Sequence, residues 1–231
     1  MFDSQRNAGE TTKEYLYRAL KEMILRLEVL PGASLTEGEI VKELDISRTP
    51  VREVLKRLEA ERLLDIIPQS GTKVSLIDKN LVDQVLFMRC AVEKEVVMSL
   101  QSTLSPDILM DLDNVVSTQE FYISKGMIDQ FQLSDNEFHE KLFACAKKEI
   151  IWENISSLSS NYYRMRLLML TKGHRSDPSL IVKEHQDILN CIRSRLPYET
   201  VAKVMTSHII KPAEVWQSLC EDPELRGLIR M

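Results

Sequence analysis

The feature that most restricts the fold is a pair of helix starts set close together between Leu35 and Leu58. Thr36 stands where a helix needs its N-cap, and Glu39 follows at the spacing of a capping box, in which side chain and backbone satisfy each other reciprocally. Leu35 before the cap and Ile40 after it fit the accompanying hydrophobic staple. Ile40, Val41 and Leu44 supply the buried face, and Asp45-Ile46 leaves room for a short turn only. Ser47 then caps the next helix, whose first turn tolerates Pro50 because backbone N–H groups there have no intrahelical partner.

In that next helix Val51, Leu55 and Leu58 face inward, while Arg48, Arg52 and Lys56 recur every four residues on another face. The net charge of −5 does not suggest a polyanion as partner. Phosphates respond to the local field, however, and Arg48, Arg52, Lys56 and Arg57 against Glu53 leave a surplus of +3 between Ser47 and Arg57. A basic helix face is ordinarily just a solvated one, so the neighbouring elements decide its meaning. Upstream, a helix is expected from about Thr12 to Glu28, with Leu16, Ala19, Leu20, Met23, Ile24 and Leu27 in one stripe, ended by Pro31-Gly32. Downstream, two β-prone runs, Leu63 to Ile67 and Thr72 to Leu76, flank Pro68-Gln69-Ser70-Gly71 and read as a hairpin. This order is that of a winged helix-turn-helix, whose second helix enters a major groove.

Residues 78–231 read as all-helical, with no strand pattern, and predict a helical bundle. The division is therefore 1–77 and 78–231, mainly α throughout, with a small β-hairpin wing in the first part. Helices are expected around Val82–Leu100, from Ser105-Pro106 to about Tyr122 with Gly126 as stop, and from Asp129 to Ala146. One continuous helix follows from Glu149 to about Leu170, then a polar loop over Lys172–Asp177, then helices over Pro178–Arg195 and Tyr198–Cys220.

Asp135 and His139 lie four apart and share one helix face. His185 sits between Ile181 and Ile188, and His208 beside Ile209 and Ile210. One carboxylate and three imidazoles suit Zn²⁺, Ni²⁺, Mn²⁺ or Fe²⁺. Asp-x-x-x-His on a helix is more often an ordinary surface pair than a metal site, His185 and His208 could each be satisfied interior histidines, and their convergence is not contained in the sequence. His174 falls in the polar loop and is not assigned to the set. Cys90, Cys145, Cys191 and Cys220 form no Cys-x-x-Cys pair, which speaks for a reducing cytosol over a disulfide scaffold or a cysteine zinc site. No run of about 18 apolar residues offers a membrane span, and Met1 to Glu10 lacks an apolar signal core, so a cytoplasmic protein is expected.

The string Pro31-Gly32-x-x-Leu35-x-Glu37, continued by Ile46-Ser47-Arg48-Thr49-Pro50-Val51-Arg52-Glu53-Val54-Leu55-x-Arg57-Leu58-Glu59, resembles the GntR family of bacterial transcription regulators. Gly71-Thr72-x-Val74 is similar to that family's wing. The resemblance implies that Ser47, Arg48, Thr49 and Arg52 contact double-stranded operator DNA and that Gly71 lets the wing approach the minor groove. Asp45 and Arg62 depart from the pattern, standing where the family usually has Gly.

The part after residue 78 resembles the FCD domain of the FadR-like branch, an all-helical ligand sensor. Its metal-binding members carry Asp-x-x-x-His on one helix and one His on each of two later helices, which here implies Asp135, His139, His185 and His208, with Zn the first choice of ion. The resemblance further implies a homodimer, a small organic acid as effector, and control of operator affinity by that effector, in a repressor or an activator. Arg89 is the candidate for the effector's carboxylate, or else an i,i+4 partner of Glu93; Arg164 and Arg166 are further candidates. The run Met165 to Met169 reads as core. A helical part used only for dimerisation, with a structural metal or none, is the alternative. An enzyme is not expected, since no general base or nucleophile is placed beside the four residues.

Overall fold

The first helix, α1 (Thr12–Leu25), starts at the expected Thr12 on a capping box: Thr11 Oγ1 accepts from Glu14 N, and the Glu14 carboxylate accepts from Thr11 N at 2.8 Å. In the computed structural model the described residues are 6–171 and 177–231, with side chains described outside 212–220. The expected loop at Lys172–Asp177, His174 included, lies almost wholly outside them. Helix α1 ends before the expected Glu28 because Leu27 takes a left-handed φ of 57°. Leu27 N–H then donates to Ile24 O and Glu28 N–H to Met23 O, closing a Schellman motif.

After Pro31-Gly32 come β1 (Ser34–Leu35), α2 (Glu37–Leu44), α3 (Arg48–Ala60), β2 (Leu64–Ile67) and β3 (Gly71–Val74). Thr36 caps α2 by accepting from Glu39 N at 3.3 Å; the reciprocal half of the box is not among the described contacts. Ser47 occupies the N-cap position of α3 with extended backbone, yet its side chain makes no cap bond, contrary to expectation. The sheet has order β1-β3-β2, antiparallel, with Ser34 opposite Lys73 and Leu64 opposite Val74. Strand β1, too short to alternate visibly, was not foreseen. The core gathers Leu16, Leu20 and Ile24 of α1, Leu35, Ile40 and residues of α3 such as Val51 and Leu58. The expected staple residues Leu35 and Ile40 are both buried in it.

The two departures from the family pattern acquire a physical meaning. Asp45 closes α2 at φ 50° and Arg62 follows α3 at φ 60°, both left-handed. Glycine reaches that region at no steric cost, whereas a β-carbon costs about 1–2 kcal/mol. Asp tolerates it better than Arg, because its short polar side chain can bond locally.

Asn80–Glu221 forms a second unit, and Asp222–Met231 belongs with the first. Its helices are α4 (Lys79–Leu100), α5 (Pro106–Ser124), α6 (Ile128–Cys145), α7 (Glu149–Leu158), α8 (Ser160–Thr171), α9 (Ser179–Arg193) and α10 (Tyr198–Glu221). Ser105 caps α5 and Gly126, at φ 67°, stops it, as the sequence suggested. The helix expected from Glu149 to Leu170 is two helices broken at Ser159, whose hydroxyl donates to Ile155 O at 2.6 Å instead of continuing the turn. Helix α5 packs on α6 and α9, α10 on α8 and α9.

The sequence placed everything from residue 78 to 231 in one all-helical part, and the structure corrects this. Strand β4 (Ile77–Asp78) pairs in parallel with β5 (Ile229–Arg230), so the last residues return to the first unit. Two residues per strand are too few for period-2 alternation to show.

Replacing Arg62 by Gly removes the left-handed strain and adds back about 0.5–1 kcal/mol of unfolded-chain freedom. Arg62→Gly should therefore raise stability by about 0.5–1 kcal/mol in urea unfolding, with Asp45→Gly changing it less; a loss of stability in Arg62→Gly would contradict the strain.

Candidate functional site

Two groups of residues are placed for chemistry, one in each unit. On α3, Ser47, Arg48, Thr49, Arg52 and Lys56 are exposed, while Val51, Val54, Leu55 and Leu58 of the same helix are buried. The basic face is thus free of the core, as the spacing predicts. Arg52 Nε donates to Glu37 Oε2 at 2.8 Å and Arg48 Nε lies 3.9 Å from Glu37 Oε1. Gly71 starts β3 at φ 99° with nothing within 4 Å of where a β-carbon would stand, so backbone conformation, not crowding, calls for glycine.

In the helical unit the three imidazoles do converge. His139 of α6, His185 of α9 and His208 of α10 bring one ring nitrogen each within 4.8 Å of one another, and all three residues are buried. Each Nδ1 faces an acceptor. His208 Nδ1 is 2.9 Å from Glu184 Oε2 and His185 Nδ1 2.7 Å from Gln119 Oε1. His139 Nδ1 is 2.7 Å from Glu93 Oε2, a close contact whose N–H does not point squarely along it. The amide of Gln119 is oriented in turn, since its Nε2 donates to Ser134 O at 3.0 Å, leaving Oε1 for His185.

A carboxylate or amide oxygen only accepts, so the contacts of His185 and His208 put their protons on Nδ1 and their lone pairs on Nε2. The Nε2 atoms of His139 and His208 stand 3.2 Å apart, and that of His185 is 3.6 Å from Asp135 Oδ1. Ring nitrogens this close to one another and to a carboxylate oxygen are placed to share a cation. Burial, and then the neighbouring imidazoles, push the His185 pKa well below its usual value; burial also lowers His208, although Glu184 pulls it back up. Neutral imidazoles of this kind are the ligating form.

Asp135 does not join the close trio but flanks it. Burial would raise its carboxyl, yet the Arg166 guanidinium bonded to Oδ2, with His185, holds it well below the ordinary range. Asp135 Oδ1 has no hydrogen-bond partner and faces His185. Glu93 behaves alike: burial opposes its charge, but Arg89 and His139 keep its pKa at about 2. The Arg89–Glu93 pair therefore forms, though it is buried instead of lying on a solvated face. Arg89 Nη2 is left without a hydrogen-bond partner, and its guanidinium lies 5.0 Å from the Tyr162 ring centre. Arg166 belongs to Asp135, and Arg164 donates to Asn161 Oδ1 at 2.8 Å.

The sequence did not single out Gln119, or Glu93 and Glu184 as histidine partners. A signal existed: Gln119 falls on the stripe of Leu112, Val115 and Val116, and Glu93 on that of Val85, Leu86 and Val96, polar groups at positions otherwise reserved for core. A polar residue on a buried stripe needs a partner, but which one only the packing decides.

Residues 12–74 match the family described as bacterial regulatory proteins, gntR family, and residues 84–211 match the FCD domain. The chain is 28% identical to the HTH-type transcriptional repressor RspR of Escherichia coli (strain K12) over 212 residues, 92% of each. It is 31% identical over 185 residues to a Streptomyces ambofaciens protein named as an uncharacterized HTH-type transcriptional regulator in an unstable DNA locus, covering 80% of this chain and 76% of that one. In fold it is similar to a Rhodococcus sp. RHA1 crystal structure titled as a putative transcriptional regulator GntR, with a TM-score of 0.73 and 19% identity over 89% of this chain and 98% of that one.

Removing one partner of a buried ion pair strands the other charge, at about 3–5 kcal/mol. Arg166→Met should cost stability of that order in denaturant unfolding, and Asp135→Asn in the same background should recover a large part of it. Equal stability of wild type and Arg166→Met would show that Asp135 does not depend on this guanidinium.

Proposed function

The chain belongs to the GntR family of bacterial regulatory proteins and carries an FCD domain, and from that premise we propose a homodimeric repressor whose operator affinity is set by a small organic acid bound at a divalent metal. Its relatives are named as transcriptional regulators, not as enzymes, and RspR is named as a repressor. Among the described residues no helix is long and apolar enough to cross a membrane, which agrees with a cytoplasmic place of action.

The observation that carries the metal is the set of three buried imidazoles, each with Nδ1 on an acceptor and Nε2 turned to a common centre. Such outer contacts fix the ring and raise its basicity as a ligand. His139, His185 and His208 would hold the ion with Asp135 as fourth ligand, a nitrogen-rich set that suits Zn²⁺ first and Ni²⁺, Mn²⁺ or Fe²⁺ after it. The ion supplies a Lewis-acidic centre for a carboxylate. Arg89 Nη2, buried and unengaged, is the side chain to pair with the effector's remaining oxygen.

At the other end, α3 enters the major groove. Arg48 and Arg52 read guanine edges or hold phosphates, and Ser47, whose hydroxyl no cap bond occupies, donates with Thr49 to phosphate oxygens. The wing at Gly71 approaches the minor groove. Two copies related by a two-fold axis bind two half-sites. The effector acts by favouring one arrangement of the protein over the other.

Gel-shift titration on the DNA upstream of the protein's own gene tests the first half. Arg48→Ala and Arg52→Ala should each weaken binding by about 10- to 100-fold with unchanged circular dichroism; undiminished affinity would remove the assigned role. Elemental analysis of protein purified without added metal tests the second half. Near-stoichiometric metal is expected, lost in His139→Ala and His208→Ala, and weakened by about 10- to 100-fold in Glu93→Gln through the outer contact alone. Failure of the wild type to bind any of the four metals would end the proposal.

A further inference from the structure

The ribbon of β4 and β5 has an unusual place in the chain. Parallel strands need a long crossover, and here the crossover is the whole of Asn80–Glu221. Strand β4 runs directly into α4, whose first residue is Lys79, and β5 follows α10 after the short segment that begins at Asp222. Those two helices are the ones that bring Glu93 and His208 to the imidazole cluster. The ribbon thus joins, in the unit that carries α3, the chain ends of two helices that meet at the candidate metal centre.

The tail is seated by more than its ladder. Leu225 is 2% exposed and Ile229 7%, against an Ile77 that is fully buried. Ile77 pairs with Ile229 and Asp78 with Arg230. Arg230 Nη2 reaches Asp65 Oδ2 on β2, the first strand of the wing hairpin, at 3.2 Å, and Asp65 Oδ1 accepts from Ser75 Oγ at 2.8 Å. Asp222 orders the approach, its carboxylate accepting from Glu224 N and its carbonyl from Arg226 N. The exposed ion pair contributes little by itself. Two buried apolar side chains make the seat real, but a ladder of two residues keeps it easy to open.

We propose that residues 225–230 are a strap that couples the imidazole cluster to the winged-helix unit: it fastens the end of α10 to the strand leading into α4, so that a change at His208 is felt at β4 and the wing through the tail as well as through α4. This rests on the proposed metal and DNA roles for its purpose, though not for the docking itself. A marginal element that both ends of a sensor domain hold is suited to report a small shift in either.

Hydrogen exchange on the full-length protein tests it, comparing wild type with Ile229→Asp, Arg230→Asp and the swap Asp65→Arg/Arg230→Asp. The probes are Zn²⁺ alone and the upstream DNA fragment. Ile229→Asp should speed exchange at Ile77 and Asp78 by at least about tenfold without unfolding either unit. Unchanged exchange there means the tail does not dock and overturns the proposal, whatever metal and DNA do. Zn²⁺ should alter protection at 77–78 and 229–230 in the wild type, and should shift its DNA affinity. In Ile229→Asp the Zn²⁺ affinity should stay within about twofold while the shift in DNA affinity falls by at least about threefold. Coupling of full size in that variant overturns the strap as a transmitter. Should Zn²⁺ not bind, the metal reading fails separately, and the strap then requires DNA to alter exchange in α10 in the wild type but not in Ile229→Asp; equal responses overturn it. The charge swap should restore protection lost in Arg230→Asp, which a merely less stable protein would not do.

Discussion

The buried carboxylate of Glu93 stands between a guanidinium on its own helix and an imidazole on another, and the helical unit is organised around that contact. An ionised carboxylate out of water costs several kcal/mol unless opposite charge and hydrogen bonds replace the solvent. Arg89 supplies the charge, and the oxygen facing away from Arg89 is then turned to His139 Nδ1. Asp135 repeats the device with Arg166 on one side and His185 on the other. Each carboxylate is held ionised by an arginine and aimed at a histidine. The result is a buried centre in which three imidazoles and two ionised carboxylates lie side by side.

The winged-helix unit works by the opposite rule, keeping its charged groups at the surface. Its core is made by Leu16, Leu20, Ile40, Val51 and Leu58, and the arginines of α3 are exposed on the other side. Glu37, exposed only in part, ties Arg52 through a hydrogen bond without burying it. The two units therefore place their charges differently: one isolates them from water beside three imidazoles, the other leaves them on an exposed helix face. Strand β5, which follows α10 in sequence, pairs with β4, so the last residues of the chain return to the first unit.

Much of this was legible before any coordinates. Helix starts at Thr36, Ser47 and Ser105 and the stop at Gly126 are local events, decided by a few neighbouring backbone groups, and the residue types announce them. The exposed basic face of α3 follows from a four-residue spacing on a helix whose other face is apolar. The break at Ser159, the early end of α1 at Leu27 and strands β1, β4 and β5 were not legible. A two-residue strand has no period, and neither Leu27 nor Ser159 is a residue type that by itself announces a helix end.

By itself the sequence determined the order of the main helices and the wing hairpin and the inward and outward faces of α3, because those follow from spacing along one element, and its resemblance to a family named the candidate ligands. Only the tertiary structure decided that His139, His185 and His208 meet, that Glu93, Gln119 and Glu184 orient them, and that Ile229 returns to Ile77. Such pairings join residues far apart in the chain, and which distant groups come together is settled by packing all the helices at once, a condition no local pattern records.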